Sequence, residues 1–276
     1  MTETTMLPTA VLRPFRDHPY YVRNDEEMDA LADSIREHGV LSPLIVRPLE
    51  DAPGEYEVVS GHRRLFAAKL AGLHEVPAMI RELDRDAAAI LLVDSNLHRD
   101  HVLPSEKAFA LKMKMDALSH QGSRREGEKW SVARLSEDAN ISERKVHRYI
   151  RLTHLARELL ELVDEGRIAL TPASELSFLT EEEQRDLVNA IAYTDATPSV
   201  SQALQMRRLS QEGRLTAKEI TNILSELKPN QYEQLRLRRD DLKRYFPAYC
   251  TDEQMKRDIL RGLELLQRKR NRDQGR

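Results

Sequence analysis

A lone glycine precedes a histidine and two arginines in VVSGHRRLFAAKLAGL, residues 58–73. Val58 and Val59 suit a strand, Arg63 through Leu70 are helix formers, and Gly72 stands where such a helix would stop. Gly61 then falls at a strand-to-helix turn, where the first N–H groups of a helix lack partners and carry partial positive charge. With Arg63 and Arg64 beside those groups, and His62 between, the turn makes an anion site whose natural ligand is phosphate. The plainer reading is a tight turn with solvated arginines, since one glycine is weaker evidence than a full phosphate loop.

A second stretch is LLVDSNLHRD, residues 91–100, where Asn96 and Arg99 stand one turn apart near a helix end and can address one ligand. His98 and His101 invite a metal, but no other strong ligand follows in order, so the pair is a weak candidate. No Ser/His/Asp or Cys/His grouping is discernible, and Cys250 has no setting that argues for a nucleophile. Met113 and Met115 read as packing.

The third stretch is SVARLSEDANISERKVHRYIRL, residues 131–152. Val132, Leu135 and Ala139 share one helical face, and Val146, Tyr149 and Ile150 share another. Asn140 and Ile141 separate them; Asn tolerates the left-handed turn, and Ser142 is a natural N-cap. Two short amphipathic helices across a tight turn predict a helix-turn-helix. Glu143, Arg144, Lys145, His147, Arg148 and Arg151 would face outward, with early positions meeting base edges and flanking arginines meeting phosphates. An ordinary helical hairpin with a solvated basic face is the alternative.

These residues need elements to place them. Asn24 and Glu27 can cap a helix that carries Met28, Leu31 and Ile35 on one face and ends before Gly39. Strands are expected at 43–49, 55–60 and 76–83, with a turn at Pro53-Gly54, and helices at 63–70, at 84–97 and from Pro104 onward. The polar run HQGSRREGEK, residues 120–129, reads as a linker. Helices dominate from 131 to about 227, broken at 140–141, Gly166, Thr171-Pro172 and Thr197-Pro198, with a weaker break at Lys228-Pro229-Asn230. No repeat or low-complexity segment is visible. The tail places Met255, Ile259, Leu263 and Leu266 on a stripe that can pair with its twin or dock on its own domain, and ends in the basic cluster RKRNR.

The 276 residues allow two or more domains. One cysteine excludes an internal disulfide and cysteine-rich metal sites, which suits a reducing cytosol. The sequence has no apolar run of membrane-span length, and MTETTMLPTA lacks the pattern of a signal peptide, so a soluble cytoplasmic protein is expected. The net charge of −3 is uneven: residues 142–157 carry five Lys/Arg against one Glu, and 255–276 carry eight against three acids. Local basic faces on a near-neutral chain are compatible with DNA at one face.

Taken in order, these stretches resemble the ParB family of DNA-partition proteins. SGHRRLFAAKLAGL with its VPA continuation is similar to the family's GERR-type box, HGVLSPLIVR to the helix end and strand before it, SNLHRD to the ENLQR-type box, and PSEKAFAL to the helix after it. RYIRL resembles the end of the family's helix-turn-helix, and the likeness covers about residues 11–180. The last third looks more like the plasmid and mobile-element branch.

The resemblance implies an α+β chain: a ParB/sulfiredoxin-like α/β nucleotide-binding domain at 1–120, an all-α helix-turn-helix domain at 121–195, and a helical C-terminal region at 196–276 that could dimerise. It also implies a nucleoid-associated, CTP-dependent DNA clamp: a homodimer that loads at a palindromic site, binds CTP with Mg2+, closes and slides, with a ParA-type ATPase as a partner. Carried over by motif, Gly61, His62, Arg63 and Arg64 would meet the nucleotide, joined by Gly39, Ser95, Asn96 and Arg99, with Asn96 holding the magnesium. On DNA the resemblance points to Ser142, Arg144, Lys145, His147, Arg148 and Arg151. The chain departs from the family at His62 (usually Glu), Phe66 (often Arg), Ser42 (commonly Gln) and Ser95 (commonly Glu). A hydroxyl is a far poorer magnesium ligand than a carboxylate, so binding is expected and hydrolysis at most weak. Two other classes remain in view: a transcriptional regulator without a nucleotide switch, and a magnesium-dependent nuclease or phosphotransferase. The latter needs carboxylates around the anion site, and only Asp94 is near in sequence.

Overall fold

The computed structural model describes residues 4–97, 99, 102–122 and 129–226, together with parts of 245–264. Residues 1–226 form one compact unit and 227–276 a second. The first unit opens with strand β1 (Thr4–Pro8), a 3-10 turn and strand β2 (Leu12–Pro14). Helix α1 (Glu26–His38), strands β3 (Leu44–Pro48) and β4 (Tyr56–Ser60), helix α2 (His62–Leu70) and strand β5 (Glu75–Ile80) follow. Helices α3 (Arg85–Asp94) and α4 (Pro104–Gly122) complete the α/β part.

The five strands form one mixed sheet in the order β1-β5-β3-β4-β2. β3 and β4 pair antiparallel, with Val46 opposite Val58, and β5 lies parallel to β3, with Ile80 opposite Val46. The two edges were not expected. β1 pairs antiparallel with β5, Thr4 opposite Met79, and β2 pairs parallel with β4, Leu12 opposite Tyr56. Both are short and end in proline, as suits edge strands, and so lack the long apolar alternation that signals a strand. The α1 cap also shifts by one residue: Asp25, not Asn24, accepts the Met28 N–H at 3.0 Å.

Strand alternation sends Val58 and Val59 to opposite faces of the sheet. Val58 packs with Met28 and Ile35 of α1, Leu44, Val46 and Leu65 of α2, while Val59 packs with Leu92 and Val93 of α3 and Ala110 and Ala117 of α4. Helix α4 does more than cover this face. Its Leu111 enters a cluster with Leu135, Ala139, Val146 and Ile150, and its Ala108 enters the helical core that follows.

Beyond α4, helices α5 (Lys129–Asp138) and α6 (Glu143–Leu152) form the expected pair. Asn140 takes φ 49° in the turn, and the Ser142 side chain accepts the Lys145 N–H at 3.3 Å. Helices α7 (Arg157–Asp164), α8 (Leu170–Leu176), α9 (Glu181–Thr194), α10 (Val200–Gln211) and α11 (Ala217–Ser225) share a single core. Met206 and Ile223 sit there beside Leu159 and Leu187, so the boundary expected at 195/196 falls inside packed structure. The boundary at 120/121 falls within α4, which reaches Gly122; residues 123–128 of the expected linker lie outside the described residues. Thr171-Pro172, read as a break, occupies the first turn of α8, where proline costs no hydrogen bond.

In the second unit a reciprocal pair, Thr251 N–H to Gln254 Oε1 at 2.9 Å and Gln254 N–H to Thr251 Oγ1 at 3.3 Å, opens a helical stretch described to residue 264. Met255 is buried and Leu263 exposed, while Leu266, RKRNR and the break at 228–230 lie outside the described residues.

Two charged groups are held inside the first unit. Arg47 Nε meets Glu57 at 2.7 Å across β3 and β4, with both side chains buried. Lys114 of α4, its side chain 1% exposed, bonds Asp94 of α3 and, at 2.6 Å, Asp138 at the end of α5.

Candidate functional site

Gly61 takes φ 106° and is the N-cap of α2. A side chain there would be strained and crowded, since a Cβ would lie 3.0 Å from Leu44 Cγ and 3.1 Å from Arg64 Nη2. Having no side chain, Gly61 offers no cap to the first N–H groups of α2, which are left for a ligand. They open onto a cavity of about 190 Å³ lined by Ser60–Arg64 of the β4–α2 turn, His18 and Tyr20–Val22 of the β2–α1 loop, and Ser95, Asn96 and Arg99 beyond α3. A neighbouring cavity of about 440 Å³ shares Tyr20, Tyr21, Arg63 and Arg99 with it. Together they are of the size that small-molecule ligands use.

The three arginines are held differently. Arg63 reaches Glu27 at 3.3 Å. Arg64 is half-buried, which pulls its pKa down, and donates to the Ser42 and Pro43 carbonyls at 2.5 and 2.9 Å, so it braces the loop before β3 as well as lining the cavity. Arg99 donates to Asn96 Oδ1 at 2.9 Å. Asn96 in turn donates to the Leu92 carbonyl at 2.8 Å, and the Ser95 hydroxyl donates to the same carbonyl at 2.9 Å.

This geometry tests the expected magnesium. Among the described residues the cavity at the start of α2 is lined by no carboxylate, whereas Asp25, Glu27 and Glu106 line the neighbouring one. No group of three or more His, Cys, Asp or Glu that could hold a metal occurs among the described residues. Asn96, expected to hold the ion, accepts from Arg99 with one lone pair of its amide oxygen and keeps a second. A directly coordinated hard cation would find its oxygen donors in Asn96, the hydroxyls of the cavity and, from the neighbouring cavity, the carboxylates of Asp25, Glu27 and Glu106. His98 and His101 lie outside the described residues.

His62 is not a cationic contact. Phe15 N–H donates to its Nε2 at 3.2 Å, which leaves the proton on Nδ1. Burial first, and the neighbouring His18 second, push its pKa down to about 3, against a hydrogen bond with the Val58 backbone that pulls the other way. The two imidazoles lie 3.8 Å apart between ring centroids. Burial likewise lowers the pKa of His18, whose Nδ1 lies 2.7 Å from the Tyr20 carbonyl oxygen. Burial raises Tyr20, so its hydroxyl stays protonated.

The structure thus brings Gly61, His62, Arg63, Arg64, Ser95, Asn96 and Arg99 to one cavity. Gly39 ends α1 at φ 72° and is not among its lining residues. The wall made by His18, Tyr20 and Tyr21 was missed. Its signal was HPYYVR, a dense aromatic run in a chain with 5% aromatic residues. Glu106 pins this wall to α4 by accepting the Tyr21 N–H at 2.8 Å.

On α6, Arg144, Lys145 and His147 are exposed, as is the Ser142 cap, and Arg148 is partly exposed. Arg151 departs from the expected outward face. It donates to the Ser177 carbonyl at 2.7 Å and to its hydroxyl at 3.1 Å, and its guanidinium lies 3.8 Å over the Phe178 ring. Arg207 stacks on that ring at 3.6 Å and pairs with Glu175 at 2.6 Å. Arg151 therefore braces α6 against the end of α8. Among the described residues no helix is long and apolar enough to cross a membrane.

A basic cradle at a strand-to-helix turn, on a mixed sheet, marks an α/β domain joined to a helical module. Residues 1–97 match the ParB N-terminal domain family, and this part of the chain is a ParB N-terminal domain. The chain is similar to the chromosome-partitioning protein Spo0J of Thermus thermophilus, 38% identical over 181 residues, which cover 64% of this chain and 61% of that one. It is also similar to a probable chromosome-partitioning protein ParB of Coxiella burnetii, 30% identical over 190 residues, or 69% of this chain and 61% of that one. The matched region thus spans about three fifths of these relatives. A C-terminally truncated ParB from Caulobacter crescentus complexed to the centromeric parS site is 25% identical, covering 80% of this chain and 98% of that one, with a TM-score of 0.44. The truncated Caulobacter protein complexed with CTP-gamma-S is 29% identical, covering 69% and 99%, with a TM-score of 0.34.

Proposed function

We propose that this chain is a sequence-specific DNA-binding protein of ParB type that acts in the partition or maintenance of a plasmid, chromosome or mobile element, and that its N-terminal cavity holds CTP as the switch of a DNA clamp. The observation that carries the nucleotide half is the convergence of Arg63, Arg64 and Arg99 on the uncapped start of α2. Guanidiniums and helix N–H groups are the two donors that best match phosphate oxygens. The neutral imidazole of His62 and, from the β2–α1 loop, His18, Tyr20 and Tyr21 give the rest of the cavity the apolar and stacking character that a nucleoside needs.

The DNA half rests on α6, whose exposed Arg144, Lys145 and His147 follow a capped turn as they would in a helix entering the major groove. Double-stranded DNA with a palindromic site, a homodimer and a ParA-type ATPase are the partners this reading takes from the family. The nuclease or phosphotransferase alternative needs carboxylates at the anion site. Among the described residues those of the neighbouring cavity, Asp25, Glu27 and Glu106, are engaged by the Met28 N–H, by Arg63 and by the Tyr21 and Leu103 N–H groups.

Calorimetry with the four ribonucleoside triphosphates tests the nucleotide. CTP is expected to bind most tightly, and Arg63→Ala to weaken it by more than about tenfold, the loss of a charge-assisted contact, while site-specific DNA binding persists. Equal weak binding of all four, unchanged in Arg63→Ala, would refute a specific pocket.

A further inference from the structure

We propose that Arg151, Phe178 and Arg207 form a second DNA contact, a sequence-independent seat for backbone phosphate that continues the basic stripe of α6 onto α8 and α10; this rests on the DNA half of the reading above. Arg144, Arg148 and Arg151 are spaced four and three residues apart, which puts them on one face of α6. Arg151 ends that stripe, and its guanidinium lies 3.8 Å from the centre of the Phe178 ring, just past the end of α8. The guanidinium of Arg207, from α10, lies 3.6 Å from the same centre, so one phenyl ring holds two cations together. Phe178 is 40% exposed and the Arg207 side chain 31% exposed, which leaves the stack open to solvent.

Two cations on one ring repel each other, and an anion bound beside them relieves that repulsion. Burial first and Arg207 second pull the Arg151 pKa down, ahead of the opposing pull of Glu175. Glu175 pairs with Arg207 at 2.6 Å but does not cancel the charge of Arg151, whose hydrogen bonds go to the neutral Ser177. Two guanidiniums and one carboxylate leave the group positive. Among the described residues Arg151 Nη1 and Arg207 Nη2 have no hydrogen-bond partner, so each fork keeps a donor for a phosphate oxygen. The ring also orders both side chains in advance, which reduces the entropy lost on binding. A phosphate contact fixes register and carries no sequence information, so base edges stay with Arg144 and its neighbours at the start of α6. The acidic first turn of α9, Glu181 to Glu183, marks where the basic surface ends.

The test is fluorescence anisotropy of the full chain with a short labelled duplex of arbitrary sequence, titrated over a range of salt concentrations. One phosphate contact contributes about 0.9 to the slope of log affinity against log salt. Arg207→Gln is expected to lower that slope by about one and to weaken binding several-fold. Glu175→Gln, which removes the competing carboxylate and keeps a hydrogen-bonding side chain, should bind the duplex more tightly than the wild type, a change that misfolding cannot mimic. An Arg207→Gln slope equal to that of the wild type would overturn the surface and leave the DNA reading standing, since the duplex still binds. Glu175→Gln binding no tighter than the wild type would overturn the surface as well. Failure of the folded wild type to bind the duplex even at low salt would overturn the DNA reading itself, and the surface with it.

Discussion

Acid should loosen the wall of the cavity through His62. In the folded chain burial holds this imidazole neutral, with a pKa of about 3, and its Nε2 accepts the Phe15 N–H at 3.2 Å. In the unfolded chain it titrates near the ordinary value of about 6.5. Between these two values the unfolded state binds the extra proton, so the stability is fully present above pH 6.5 and drains away as the pH falls toward 3. At pH 5 the gap is about 1.5 pH units, worth about 2 kcal/mol at 1.36 kcal/mol per unit. His18, also lowered by burial, adds a term of the same sign. Proton–carbon correlation spectra recorded from pH 8 to pH 4 should show one imidazole that stays neutral to the lower end. Urea unfolding at pH 7.5 and pH 5 should show a loss in the wild type that shrinks by about 2 kcal/mol in His62→Gln, whose amide oxygen can still accept from Phe15. A His62 that titrates near 6.5, or a His62→Gln variant as acid-sensitive as the wild type, would refute the reasoning.

Three further outcomes follow from contacts elsewhere. Arg144→Ala and Arg148→Ala should each lower preference for the cognate DNA site by about 1–3 kcal/mol in competition binding, whereas Arg151→Ala should lower the melting temperature and leave the preference nearly unchanged, because its guanidinium serves Ser177 and Phe178. Ser95→Glu, which restores a carboxylate beside Asn96, should raise CTP turnover measured by phosphate release and make it depend on magnesium; brisk turnover by the wild type would contradict the role given to the missing carboxylate. Lys114→Met should destabilise the chain by about 1 kcal/mol in urea unfolding, because it removes the buried ammonium and leaves Asp94 and Asp138, both partly exposed, without their partner. Adding Asp94→Asn and Asp138→Asn should recover part of that loss, and no recovery would show that the charges were not the cause.

Local grammar was the legible part of this chain. The left-handed glycine at 61, the left-handed Asn140 and the Ser142 cap each depend on a few adjacent residues, and each stands in the structure where its sequence context placed it. What escaped depends on partners far along the chain. Arg151 lies toward the polar side of α6 by periodicity, but the surface beyond it is built by Ser177 and Phe178, at the end of a different helix. Lys114 reads as a solvent-facing lysine in KMKMD, and only the arrival of Asp94 and Asp138 makes its burial tolerable. The edge strands were hidden for a related reason: five and three residues carry too little pattern to declare a strand without the neighbour that completes the ladder. In the cavity, the residues of the two motif boxes were readable by type, while the wall from His18 to Val22 reaches it through a loop whose course the sequence does not encode locally.

Helix α4 sets the size of the piece that heredity can move. The match to the N-terminal family model ends at residue 97, yet the face of the sheet bearing Val59, Leu92 and Val93 is closed by Ala110 and Ala117, which come after it. The same helix gives Leu111 to the α5–α6 cluster and Ala108 to the helical core. A recombination joint placed between 97 and 122 would therefore strip one module or the other of its cover, and a shuffled gene would carry both or neither. Compatible exchange points lie outside that helix, so the α/β domain and the helical module are expected to descend as a single inherited block and to diverge in step.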